Sequence, residues 1–204
     1  MNAAANSNPA DGDLVAQHAA AQRGVFSKAD LQVLFAERHP TSFVRRVQSL
    51  VERGVLRRFV RGFYVGRDFD VPTLSQRLAA DSYVSFGTVL ARHLVIGPQP
   101  ERQLLAAKTG RAHTYRALGI EVAHLHVAEH LDFGHVVEDG VRWATPEKAV
   151  LDTLYFHLRG RRYPFDIWSD LDTTRLDAAK LAEHLTRFRN PKFVAFARGV
   201  LGLR

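Results

Sequence analysis

The sequence predicts an α+β protein, with an N-terminal winged helix-turn-helix followed by a mixed α/β C-terminal domain. Three observations carry this. A capped amphipathic stretch between Pro40 and Val65 runs through a glycine stop into a short arginine-rich hairpin. All of the chain's excess positive charge falls in the same region. Beyond residue 71, short apolar runs separated by turn residues alternate with strongly patterned helical segments.

The stretch from Pro40 reads PTSFVRRVQSLVERGVLRRFVRGFYV. Thr41 or Ser42 is placed to cap a helix, because a short hydroxyl accepts from a free first-turn amide. Phe43, Val44, Val47, Leu50 and Val51 then form one buried stripe. Arg45, Arg46, Gln48, Ser49, Glu52 and Arg53 are left on the other face. Gly54 ends the helix, since glycine tolerates a left-handed cap. Val55 to Val60 and Phe63 to Val65 read as two strands around Arg61-Gly62, with Arg57, Arg58 and Arg61 on or near the tip. In a winged helix-turn-helix such a helix enters the major groove of double-stranded DNA and the hairpin touches phosphates.

The chain has 28 basic and 21 acidic residues, a net charge of +7. From Arg38 to Arg67 there are eight arginines and one acid, Glu52, also a net of +7. The remainder is neutral. An excess confined to one segment reads as an electrostatic footprint for a polyanion rather than as general solubility.

At 204 residues the chain has room for one large or two small domains, and 46% hydrophobic content is ample for a core. No apolar run is long enough to span a bilayer. The opening MNAAANSNPADGD lacks a basic start and an apolar centre, so it reads as a disordered tail over residues 1–10 and not as a signal peptide. There are no cysteines, which excludes disulfides and thiolate metal sites and fits a cytoplasmic protein.

Within the winged-helix domain, residues 11–67, Asp13 is placed to cap a first helix from Leu14 to about Gln22, and Gly24 stops it. Ser27 caps a second helix, with Asp30 three residues on to complete a capping box and Phe26 packing on Leu31. Arg67 to Pro72 reads as the connection to a C-terminal domain over residues 71–204. There, a helix from Val71 to Ala80 and a short extended Tyr83-Val84-Ser85 precede a helix from Phe86 to His93, with Ser85 as its cap. Strands are expected at 103–108, 113–118 and 121–126, with two more at 131–137 and 141–144. Thr145 caps a helix with Pro146 and Glu147 in its first turn, where proline loses no needed amide and a carboxylate meets the positive helix end. Val150, Leu151, Leu154, Tyr155 and Leu158 are expected to form its buried stripe. Two further helices meet at Asn190-Pro191.

Catalytic motifs are absent: there is neither a phosphate-binding glycine loop nor a nucleophile elbow. His124, His126, Glu129, His130 and His135 cluster in sequence, but their spacing fits no standard zinc pattern. Glu147 and Lys148 are adjacent at a helix start, so they would not converge on one phosphate as a nuclease requires. Asp152 is expected to pair with a nearby arginine or to cap a loop. No catalytic residue, metal or cofactor is expected, and the chain is read as a non-enzyme.

Several of these stretches together resemble the AbiEi family of type IV antitoxins. The second half carries the resemblance in Tyr83-Val84-Ser85, in Ala107-Lys108-Thr109 and above all in the ATPEKAVLD run from Ala144 to Asp152. The first half carries it in Phe26-Ser27 and from Gly54-Val55-Leu56 to Arg61-Gly62-Phe63-Tyr64. The resemblance implies a DNA-binding winged helix joined to an antitoxin domain, and repression of its own operon through inverted repeats. It also implies a nucleotidyltransferase-like toxin counteracted without a stable complex.

By that resemblance the DNA-contacting residues are Thr41, Ser42, Arg45, Arg46, Ser49 and Arg53 on the helix and Arg57, Arg58 and Arg61 on the wing. The ATPEKAVLD run is structural. The partner is operator DNA bound by a monomer or weak dimer, with no membrane involved. The alternative is a winged-helix regulator whose C-terminal domain senses a ligand or partner and has no toxin.

Overall fold

The structure, a computed structural model, describes residues 9–100 and 102–203. The tail expected over residues 1–10 lies outside the described residues except for Pro9 and Ala10, which already belong to the first helix. The fold is α+β, with eight α-helices and two sheets among the described residues. The chain divides into two compact units, one ending at Arg77 and the other starting at Leu78.

The first unit holds α1 (Pro9–Ala19), β1 (Val25–Ser27), α2 (Lys28–Leu34), α3 (Pro40–Glu52), β2 (Arg57–Val60), β3 (Phe63–Val65) and nearly all of α4 (Val71–Leu78). Its sheet is antiparallel, in the order β1-β3-β2, with Val25 opposite Val65 and Arg58 opposite Tyr64. Arg61 and Gly62 make the turn between β2 and β3, and Gly62 sits at φ +86°, a conformation glycine adopts without strain. One apolar cluster joins the elements: Val15, Phe26, Leu31, Phe35, Phe43, Val47, Leu50 and Leu56.

The α2 start is the one written in the sequence. The Asp30 amide donates to Ser27 Oγ at 3.1 Å, and the Ser27 amide donates to the Asp30 carboxylate at 2.7 Å. That carboxylate also accepts from Arg77 Nη1 at 2.9 Å. Arg77 further donates to the Val25 carbonyl at 2.7 Å and to the Gln22 side chain. These bonds tie α4 to the first unit, whereas the sequence reading opened the second domain at residue 71.

Two other expectations are corrected. The α1 helix starts at Pro9, so Asp13 lies inside it instead of capping it. Val25 to Ser27 is a strand, too short to show an alternation and paired through a partner some forty residues away. Gly24, next to it, has φ +69° and lies so close to the Asp68 carbonyl that a Cβ would sit 2.8 Å from that oxygen.

The second unit contains β4 (Ser82–Val84), α5 (Phe86–Arg92), β5 (Gln103–Lys108), β6 (His113–Ala117), β7 (Ile120–His126), β8 (His135–Glu138), β9 (Val141–Ala144), α6 (Pro146–Leu158), α7 (Ala178–Leu185) and α8 (Pro191–Leu201). The mixed sheet runs β6-β7-β5-β4-β9-β8. Its β4 strand pairs antiparallel with β5 and parallel with β9. The hub is α6. Thr145 Oγ1 accepts from the Lys148 amide, Pro146 occupies the first turn, and the helix packs against α5, α7, α8 and β9. Every residue from Glu147 to Leu154 is buried. The strand expected at 131–137 is shorter, because Glu129–Leu131 is a 3-10 turn and β8 begins only at His135.

Candidate nucleic-acid interface

The α3 helix begins at Pro40, so neither Thr41 nor Ser42 is its cap. His39 holds the cap position and its side chain makes no capping bond. Glu37 supplies the carboxylate instead, accepting from the His39 amide at 2.9 Å and from the Ser42 hydroxyl at 2.7 Å. The His39 and Ser42 bonds, in that order of weight, hold the Glu37 carboxyl below its ordinary range.

The buried line of α3 is Phe43, Val47 and Leu50. Thr41, Val44, Arg45, Gln48, Glu52 and Arg53 are exposed, and Ser49 is half-buried. The sequence reading placed Val44 inside, yet it is 60% exposed. Each residue turns the helix by about 100°, so Val44 leaves the Phe43 line and stands beside Gln48.

Arg46 was expected outside and turns inward. Its Nε donates to Asp11 Oδ2 at 2.8 Å, its Nη2 to Asp11 Oδ1 at 2.5 Å and its Nη1 to the Phe35 carbonyl at 3.0 Å. The guanidinium lies over the Phe35 ring, 4.7 Å from its centroid. Asp11 is only 3% exposed.

On the hairpin, Arg58 and Arg61 are exposed. Arg57 is not near the tip but at the base, opposite Val65. Its Nη2 donates to the carbonyls of Gly66 at 3.0 Å and Arg67 at 2.9 Å. Of the nine residues expected to touch DNA, then, Thr41, Arg45, Arg53, Arg58 and Arg61 present open side chains. Ser42, Arg46 and Arg57 are engaged within the unit. Val44 and Gln48 join the open face, although the resemblance did not carry them.

The other candidate clusters come apart. His124 is buried, edge-on to Tyr115 at 5.8 Å. His126 is exposed, with Nδ1 3.2 Å from the Gly110 carbonyl. His135 lies 3.0 Å from Asp132 and 2.6 Å from Arg142 Nη2. Among the described residues, no group of three or more His, Cys, Asp or Glu is placed to hold a metal ion.

Lys148 has no exposed surface, and its Nζ bonds Asp152. Asp152 also accepts from Ser85 Oγ at 2.8 Å and from Tyr83 Oη at 3.1 Å. The rings of Tyr83, Phe133 and Phe188 surround the ammonium, with centroids at 5.3, 4.9 and 5.9 Å. Burial, and then the Asp152 charge, push the Tyr83 hydroxyl far above its usual range. Asp152 therefore pairs with a lysine, not the expected arginine. Glu147 is only 5% exposed and accepts the Asp177 amide at 3.1 Å at the start of α7. This set is satisfied and closed to solvent. It holds α6, α7 and β4 together and offers no substrate a route in.

Comparison with solved structures finds a likeness to the RV2827C protein from Mycobacterium tuberculosis, known from its crystal structure. The TM-score is 0.59 with 15% identity, covering 98% of this chain and 84% of that one. At that identity the likeness concerns the fold alone. No family model and no curated protein matches the chain. No helix among the described residues is long and apolar enough to cross a membrane.

Proposed function

We propose that this chain is a DNA-binding repressor with α3 as the recognition helix and the β2–β3 hairpin as the wing of a winged helix-turn-helix. The observation that carries this reading is the shared exposure of Arg45 on α3, Arg53 at its C-cap, and Arg58 and Arg61 on the hairpin. It lies within the segment that holds the chain's whole net charge. Val44 and Gln48 add what a base-reading face needs: an apolar group for a thymine methyl and an amide for adenine. With the AbiEi resemblance, the reading extends to an antitoxin of a type IV system. Such a protein represses its own operon at inverted repeats and counteracts a nucleotidyltransferase-like toxin without a stable complex. A second reading, a regulator whose second unit takes a ligand, is favoured by a cleft there that two arginines line.

Footprinting on the chain's own upstream DNA, followed by a salt titration, tests the DNA reading. About five phosphate contacts give a log–log slope near −4 to −5. Arg58→Ala and Arg61→Ala then weaken operator and random DNA alike, because phosphate contacts carry no sequence information. Arg45→Ala lowers discrimination between the two by roughly 1–3 kcal/mol. A flat salt response, or equal losses on both DNAs for every variant, would remove α3 from the groove. Protection of cells that express a nucleotidyltransferase-like toxin tests the antitoxin part.

A further inference from the structure

We propose that the second unit binds a phosphate-sized oxyanion, free or as the terminal group of a small molecule, in the cleft between the start of α5 and the segment following α6. This deepens the ligand-regulated reading by naming the class of ligand, and it does not depend on the DNA face.

The cleft is lined by Gly87, Thr88, Gln99, Arg161, Arg162 and Tyr163, with Gln103 and four apolar residues completing the wall. Among the described residues no carboxylate lines it, while Arg161 and Arg162 both do. Two polar atoms on these lining residues, Arg161 Nε and Tyr163 Oη, are buried without a hydrogen-bond partner among the described residues. Folded proteins leave few such groups unpaired, and each one calls for an account. The Gln99 amide reaches the Pro98 carbonyl only at 3.4 Å, the edge of hydrogen-bond range.

The polar groups of the lining residues include several donors. A guanidinium Nε–H only donates, and a phenol, a primary amide and the Thr88 hydroxyl can each donate as well as accept. Burial raises the Tyr163 hydroxyl above its usual range, with Arg161 pulling the other way, so the phenol stays protonated and able to donate. Donors and positive charge select an anion. The open volume is small, about 50 Å³.

The local backbone is arranged around this space. A Cβ on Gly87 would stand 3.2 Å from both Gln99 Oε1 and Phe165 Cε1, so the wall tolerates little more than glycine. Phe86, just before it, is fully buried at φ +57°, strained for a side chain of that size, and its ring stacks on Tyr163 at 6.4 Å.

Calorimetric titration of the full chain with inorganic phosphate, with adenosine monophosphate and with chloride at matched ionic strength tests the site. We expect binding of phosphate or the monophosphate and none of chloride. Tyr163→Phe and Arg161→Gln should each weaken it tenfold or more, as loss of one hydrogen bond to a charged group does. Tyr163→Phe removes a hydroxyl that has no partner, so its unfolding temperature without phosphate should stay level or rise, which separates lost binding from lost folding.

Tighter binding of the monophosphate marks a small-molecule ligand, and equal binding marks a free anion; both support the site. No binding at millimolar phosphate, or equal affinity in wild type and both variants, overturns it. Operator binding by these variants should match wild type. In the wild type, no phosphate binding with intact operator binding removes this site alone, and phosphate binding with no operator binding removes the DNA reading alone.

Discussion

Arg46 on α3 grips Asp11 on α1 through two parallel hydrogen bonds, Nε to Oδ2 at 2.8 Å and Nη2 to Oδ1 at 2.5 Å. The same guanidinium covers the Phe35 ring and bonds its carbonyl. A basic residue in the middle of a cationic helix thus serves the packing of that helix, and the neighbouring Arg45 is left to meet a partner.

Replacing Arg46 by alanine should lower the stability of the first unit by about 2 kcal/mol, between the values for exposed and buried ion pairs. Arg46→Lys should recover little, because an ammonium cannot reproduce the planar two-bond grip. Denaturant unfolding reads this directly. An unchanged midpoint together with lost operator discrimination would mean that Arg46 reads bases after all.

A fragment of the first unit should need Arg77. Ended at Asp70, it loses three bonds, to Val25, Asp30 and Gln22. Ended shortly after Arg77, it keeps them. The shorter fragment should unfold at least about 5 °C lower, the shift that roughly 1 kcal/mol makes in a domain of this size. Equal melting curves would show that α4 contributes nothing to the first unit.

What was legible in the sequence was mostly local. The Ser27–Asp30 box, the Gly54 stop, the Arg61-Gly62 turn and the Thr145-Pro146 helix start each depend on residues within four positions, and all are found. Partners far along the chain were not legible. Glu147 and Lys148 look like solvated charges at a helix end until Asp152, Asp177 and three aromatic rings close over them. Val44 and Arg46 exchanged faces because an apolar–basic alternation leaves the helix phase open by about one residue, and the partners that hold Arg46 inward, Phe35 and Asp11, lie eleven and thirty-five positions away. The cleft around Arg161 and Tyr163 left no pattern at all, since its walls come from three separated segments.

In the second unit, Lys148→Ala should cost about 3–5 kcal/mol, because it leaves Asp152 buried and unpaired. Pairing Lys148→Met with Asp152→Asn should restore more than half of that, since Ser85 and Tyr83 keep an acceptor. Leu151→Ala should cost roughly 2–5 kcal/mol through the cavity it leaves. Glu147→Ala should cost about 1.5–3 kcal/mol as the Asp177 amide loses a charged acceptor. That exceeds what an exposed first-turn carboxylate would lose. Thermal and chemical unfolding rank the four, and a double variant no better than Lys148→Ala would deny the coupling.

Acid should weaken the second unit through His184. Burial is the main cause of its lowered pKa, with Glu183 and Glu147 opposing and Lys148 and Lys180 adding to it. The folded state therefore binds its proton less readily than the unfolded chain. The stability from a neutral His184 is present above the unfolded value near 6.5 and is lost as pH falls from there through the lowered folded value. Wild type should melt progressively lower as pH falls below about 6.5. His184→Gln should lose part of that slope, and an identical slope in the two proteins would assign it to other groups.

The aromatic enclosure of Lys148 has a use at the bench. The chain has five lysines; Lys28, Lys180 and Lys192 are exposed and Lys108 is half-buried, which leaves Lys148 alone sealed from solvent. An acylating reagent should mark the other four on the native chain within moments, while Lys148 reacts only in molecules whose second unit has opened. Mass spectrometry of that one peptide would then serve as a built-in clock for opening, without any added tag or dye.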